Sequence, residues 1–275
     1  MIVFPSAKIN LGLHILEKRA DGFHNIETVF YPIGWSDALE VIAYKGKSQN
    51  RVHFSSSGIP IPGNSQDNLC VKAYHLMARD YDLPPVKIHL HKIIPIGAGL
   101  GGGSSDAAFF IKAVNALFEL GLSFGELHHY ARQLGSDCSF FINNKPCFAE
   151  GKGDEMEPQE VSLKGKFLML VKPDIHINTA MAYAGVKPRA SKVSLAQQVQ
   201  LPLSKWKQQI YNQFEETVFV HSREIGGIKE KFYDLGAVYA AMSGSGSSVY
   251  GIFEQEIAVP SEFKTHAVWC ERLQV

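Results

Sequence analysis

The chain offers no net charge to a partner: its 27 basic and 27 acidic residues cancel over 275 positions. That balance removes the general electrostatic case for binding nucleic acid or a membrane surface, and a small-molecule partner is expected instead. Long apolar runs are also missing. Residues 140–142 and 167–171 are apolar but short and bounded by polar neighbours, far below the run of about 18 that a membrane span needs. Residues 1–5 carry no charged n-region, extended apolar segment or small-residue cleavage site, so a cytoplasmic protein is expected, working as a monomer or weak homodimer. Cysteine is scarce. Cys70, Cys138, Cys147 and Cys270 stand far apart with no CxxC spacing and read as buried thiols. Cys138 stays open because it follows Asp137. No internal repeat, heptad run or low-complexity tract is present.

What is there reads as an α+β protein. Residues 8–17 alternate, with Ile9, Leu11, Leu13 and Ile15 on one strand face, and further strands are expected at 27–32, 38–43 and 51–55 in an antiparallel sheet. Residues 59–68, rich in Pro, Gly and Asn, form a loop, and Asn68 is placed to cap a helix over 69–81. A strand at 86–91 puts Val86, Ile88 and Leu90 on one face and Lys87, His89 and His91 on the other. His89 and His91 form an HxH pair, but no third ligand has suitable spacing, which favours a solvated sheet face. Helices follow at 104–118 and, from the capping box of Ser123 and Glu126, to about Leu134.

The stretch 149–158 is rich in Gly, Glu and Asp, and an apolar strand begins at Phe167, so the spacing predicts two domains, 1–158 and 159–275. The second offers strands at 167–171, 238–242, 248–253 and 268–273. Its helices are expected from Asn178, near Ser194 and Ser204, and over 222–234.

Residues 95–106 read PIGAGLGGGSSD, with five glycines in seven residues just before a helix. Glycines permit positive φ and close backbone approach, successive N–H groups form an anion nest, and the helix aims its positive end at the same point. A polyphosphate meets those conditions. The segment is not a Walker A loop, which needs Lys before Ser or Thr, and no acidic residue ends a next strand as a dinucleotide fingerprint requires. A merely flexible loop would lack Ser104, Ser105 and Asp106, which supply helix-start chemistry.

PIGAGLGGGSSDAA resembles the ATP-binding motif of the GHMP kinases (galactokinase, homoserine kinase, mevalonate kinase, phosphomevalonate kinase). SAKINL at 6–11, DGFHNIET at 21–28, GSDCSFF at 135–141 and MSGSGSS at 242–248 extend the likeness in the same order over residues 5–253. They narrow it to a branch that uses ATP to phosphorylate the 2-hydroxyl of a cytidine-diphosphate-linked methylerythritol, in non-mevalonate isoprenoid synthesis. The resemblance implies an N-terminal domain like domain 2 of ribosomal protein S5 and a C-terminal ferredoxin-like domain, with ATP and Mg2+ as cofactors. It implies that Asp137 takes the acceptor proton and that Lys8 neutralises developing charge beside it. Read alone, Asp137 is a turn or N-cap residue and Lys8 a polar residue on an alternating strand.

The resemblance further assigns the phosphates to Pro95, Ile96, Gly97, Ala98, Gly99, Leu100, Gly101, Gly102, Gly103, Ser104 and Ser105, and the adenosine to Asn68, Leu69 and Lys92. Taken singly, those last three are a cap, a core residue and a surface charge. Asn10, Phe23, His24, Thr179 and Tyr183 fall to the acceptor, with the rings of Phe23 and Tyr183 sandwiching cytosine. The family more often has Tyr at Phe23 and Pro at Ser139. The motif 244–248 is a glycine turn that can also bring amides to a phosphate. The metal ligands are unknown, with the Ser105 hydroxyl as one candidate. A homoserine or mevalonate kinase is the alternative, although a small acceptor without a base has no need of the aromatic pair. A nucleotide-binding regulator without turnover has Lys8 and Asp137 against it.

Overall fold

The structure is a computed structural model that describes residues 1–44 and 51–274. The chain divides into two compact units, each assembled from separate stretches of sequence: Met1–Ala7, Trp35–Ile96 and Gly101–Asn144 in one, Lys8–Gly34, Gly97–Leu100 and Lys145–Val275 in the other.

In the first unit a four-stranded sheet runs in the order Ile2–Val3, Ala38–Ala43, Val86–Lys92, Val52–Gly58. Its last pair is parallel, because the helix Leu69–Met77 lies between Val52–Gly58 and Val86–Lys92 and returns the chain to the same end, as parallel pairing requires. Val86, Ile88 and Leu90 are buried, while His89 and His91 sit on the opposite face, bonded to Ser55 and Ser57 of the neighbouring strand. Asn68 Oδ1 accepts from Cys70 N at 2.9 Å, which fixes the start of the Leu69–Met77 helix. The capping box of Ser123 and Glu126 starts Phe124–Leu134. The central helix, Gly102–Leu117, buries Phe110, Ile111 and Val114 and packs on Leu69–Met77 and on the short helix Cys138–Asn143.

The second unit contains two sheets. One orders Ser6–Lys18, His24–Ser36, Cys147–Glu150 and Glu155–Pro158. The other is antiparallel, ordered Tyr239–Met242, Val249–Phe253, Phe167–Lys172, Ala267–Arg272. Numbered along the chain that is 2-3-1-4, the ferredoxin-like order read from its far edge. Met169, Val171, Ile225, Phe232, Met242 and Val249 fill its core.

Several expectations are corrected here. The N-terminal strands form parts of two sheets, and one of their pairings is parallel. The strand Ser6–Lys18 is buried on both faces, so its polar row Lys8, Asn10 and His14 lies inside the protein rather than in water. The stretch read as a domain junction is a hairpin: Cys147–Glu150 pairs with Glu155–Pro158 across a turn in which Gly151 and Gly153 take positive φ. The first helix stops at Met77, and the helices Cys138–Asn143 and Glu215–His221 were not expected.

Candidate functional site

Gly97, Gly99 and Gly101 take positive φ of 63°, 78° and 70°, alternating with the buried Ala98 and Leu100. At Gly99 no other residue fits. A Cβ there would stand 2.0 Å from the Ser243 carbonyl oxygen, besides straining a left-handed backbone. The Gly99 carbonyl accepts from Lys8 Nζ at 3.1 Å and Ser243 Oγ at 2.9 Å. Ser248 N donates to Ala98 O, so the second glycine motif does meet residues 97–100.

The helix Gly102–Leu117 begins behind Gly101, which provides no side-chain cap. Its first-turn N–H groups and positive dipole end remain for an anion. Gly103 is exposed, and a Cβ on it would touch only Leu69 Cδ1, at 3.9 Å. Ser104 is half-buried, whereas Ser105 is fully buried with its hydroxyl unpartnered. Of the two hydroxyls, that of Ser104 is the more exposed.

Lys92 is not a surface charge. It is 2 % exposed, and its Nζ lies 2.5 Å from Asp37 Oδ2 and 2.7 Å from Asp106 Oδ2. Burial and the charges and hydrogen bonds of both carboxylates act in opposite directions on its ammonium, and the net shift is upward. Burial, opposed by Lys92 and reinforced by the negative charge of Asp37, raises the Asp106 pKa above the usual carboxylate range. Asp37 was not singled out from the sequence, and Asp106 was read only as helix-start chemistry. Asn68 is the expected cap and Leu69 is half-buried.

In the second unit Lys8 Nζ donates to Asn10 Oδ1 at 2.6 Å and sits 4.9 Å from the centroid of the Phe30 ring. Asn10 Nδ2 donates to Thr28 Oγ1 at 2.8 Å, its backbone N–H to Ser243 Oγ, and its carbonyl accepts from Tyr250 OH. Asn10 is 2 % exposed and packs beside Lys8. Asn212, another residue that the sequence did not flag, donates from Nδ2 to Met242 O and Gly244 O and holds the second glycine turn.

Phe23, His24, Thr179 and Tyr183 do come together, with Lys18 and Lys152, in the wall of one cleft of about 600 Å³. A tight turn presents Phe23: Asp21 Oδ1 accepts from Phe23 N, Arg19 N donates to Phe23 O, and Gly22 takes φ 87°. Phe23 is 60 % exposed. The His24 ring stacks on Tyr183, centroids 4.7 Å apart and planes 19° from parallel. Burial, then the nearby Lys18 charge, lowers the His24 pKa and favours the neutral ring. Thr179 Oγ1 is 3.1 Å from Ser245 Oγ, linking the cleft to the second glycine motif.

In the first unit, Asp137 occupies the N-cap position of Cys138–Asn143 but makes no side-chain capping bond. Cys138 is buried, and that burial pushes its thiol up to about 11, against a bond from Ser104, so it is no thiolate nucleophile at neutral pH. Among the described residues no three of His, Cys, Asp and Glu gather to hold a metal ion. Mg2+ needs fewer protein ligands when phosphate oxygens share it, and the half-buried Ser104 hydroxyl suits that arrangement.

Two family models match the chain: the GHMP kinases N-terminal domain over residues 68–145 and the GHMP kinases C-terminal domain over 200–263. The 4-diphosphocytidyl-2-C-methyl-D-erythritol kinase of Bacteroides thetaiotaomicron is 49% identical over 270 residues, covering 98% of each chain. The enzyme of that name from Cytophaga hutchinsonii is 53% identical over 254 residues, 92% of each chain. A crystal structure of 4-(cytidine 5'-diphospho)-2C-methyl-D-erythritol kinase matches with a TM-score of 0.78 at 29% identity, over 92% of this chain and 90% of that one.

Proposed function

The chain belongs to the GHMP kinases, and we propose that it transfers the γ-phosphoryl group of ATP to the 2-hydroxyl of 4-diphosphocytidyl-2-C-methyl-D-erythritol. The observation that carries the choice of acceptor is the cleft that gathers Phe23, His24, Thr179 and Tyr183. Flat rings beside a neutral imidazole suit a pyrimidine base. A homoserine or mevalonate acceptor has no part that would use them.

On this reading residues 95–105 hold the polyphosphate through loop amides and the uncapped start of the Gly102–Leu117 helix. Mg2+, arriving with the nucleotide, would neutralise charge on the β- and γ-phosphates, with Ser104 as its protein hydroxyl. Asp137 takes the proton from the acceptor hydroxyl as that oxygen attacks phosphorus and the bond to ADP breaks. Lys8, oriented by Asn10 and the Gly99 carbonyl, supplies positive charge for the transferring group. The reaction needs only small molecules and suits the cytoplasm. The test is ADP release by the purified protein with ATP, Mg2+ and this acceptor. Release above background is expected, and release no greater than without acceptor removes the proposal.

A further inference from the structure

The chain on either side of the phosphate loop is tied to one buried ionic bridge. On the incoming side, Asp37 Oδ1 accepts from the backbone N–H groups of Ile93 at 2.6 Å and Ile94 at 2.8 Å, while Asp37 Oδ2 holds Lys92 Nζ at 2.5 Å. On the outgoing side the same Nζ donates to Asp106 Oδ2 at 2.7 Å, in the second turn of the helix that begins at Gly102. Gly102 is packed against this bridge. A Cβ on it would lie 3.0 Å from Lys92 Nζ and 3.0 Å from Ile94 Cγ2. All of these residues lie in the first unit, and the side chains of Asp37, Lys92 and Asp106 are at most 4 % exposed. Such a bridge spans the mouth of residues 95–101 and fixes how far apart the two stems stand.

We infer that Asp106 and Lys92 are positioning residues for the donor nucleotide. By joining the stems of the phosphate loop, they hold the helix-start amides where a polyphosphate needs them, and they touch no ligand themselves. A phosphate site made of backbone amides has no side chain to adjust, so its affinity depends on the spacing of the peptide units. A bonded ammonium between two carboxylates sets that spacing more sharply than apolar packing does, because its directions and lengths are fixed. The inference rests on the donor side of the proposed function and is indifferent to the identity of the acceptor.

The test uses the full-length enzyme and two variants. Asp106→Asn keeps the side-chain shape and leaves Lys92 paired with Asp37, so no buried ammonium is orphaned. Gly102→Ala pushes on the bridge without removing any charge. Affinity for a non-hydrolysable ATP analogue and for CDP is measured by calorimetry, alongside Tm and the KM values for ATP and acceptor. Asp106→Asn is expected to weaken the ATP analogue and raise the ATP KM by about tenfold, with CDP affinity and acceptor KM within about twofold; Gly102→Ala should do the same by about threefold. Unchanged ATP affinity in the folded variants, whether or not Tm falls, overturns the inference, as does an equal loss for both ligands. If Asp106→Asn does not fold, Gly102→Ala decides alone. A wild-type protein that binds no ATP analogue refutes the donor reading itself, an outcome distinct from variants that bind it as well as wild type does.

Discussion

The proposed donor and acceptor sides of this kinase are built by different means. The phosphate loop relies on backbone: glycines forced into left-handed φ, a carbonyl pinned by Lys8 and Ser243, and stems joined through Lys92 beneath the surface. The acceptor cleft relies on side chains, with an exposed Phe23 on a hairpin turn and a Tyr183 stacked on His24. A backbone site is intolerant of small geometric errors but indifferent to which nucleotide carries the phosphates. A side-chain site tolerates movement and carries the discrimination. Substitutions on the donor side should therefore act through geometry, and those in the cleft through lost contact area.

The largest effect is expected at Asp137, the proposed general base. Asp137→Asn should lower kcat by about a hundredfold or more, the usual contribution of a general base, while calorimetry shows ATP-analogue binding unchanged; turnover at the wild-type rate would strip Asp137 of its role. Next comes Gly99→Ala, which sets a methyl against the Ser243 carbonyl at a φ of 78°. Strain of roughly 1 to 3 kcal/mol should weaken ATP binding by about tenfold to a hundredfold, with CDP binding retained. Equal losses for the two ligands would break the comparison. Tyr183→Ala should do the reverse, raising the acceptor KM by roughly two- to tenfold on the value of one aromatic pair, with the ATP KM unmoved in steady-state assays.

The smallest consequence for turnover concerns His14, buried 4.5 Å from the Tyr211 ring centroid and 4.0 Å from Glu27. Burial, then Arg189, lowers its pKa from 6.5 to about 4. Since the folded value is depressed, the unfolded chain takes up this proton first as pH falls, and the stability present above pH 6.5 is lost towards pH 4. Between pH 7 and pH 5 that amounts to about 2 kcal/mol. Chemical denaturation of wild type and His14→Gln at the two pH values checks it. The variant should lose less on acidification, and parallel losses would show that His14 is not the group.

The sequence showed much of the donor side because its signals are local. Five glycines, the Asn68 cap and the Ser123–Glu126 box each act within a few residues, and each appears where the spacing put it. What escaped depends on distant partners. Lys92 looked like a surface charge because nothing near it in sequence reveals Asp37, and Asn212 gives no sign that it holds residues 242 and 244. The burial of Lys8, Asn10 and His14 was not legible because alternation shows which face is polar, not whether that face is covered. The turn at 151–154 resembled a linker because tight hairpins and linkers share Gly and charged residues. Phe23, His24 and Tyr183 were legible only through the family likeness, since a turn aromatic and a helix tyrosine have no spacing that joins them.

Paired calorimetry of an ATP analogue and CDP on wild type, Asp106→Asn and Tyr183→Ala separates the backbone-built donor side from the side-chain-built acceptor side. Wild type is expected to bind both, Asp106→Asn to lose affinity for the ATP analogue alone, and Tyr183→Ala to lose affinity for CDP alone. Either variant losing both ligands to the same degree, or Tyr183→Ala binding CDP as wild type does, would contradict that separation.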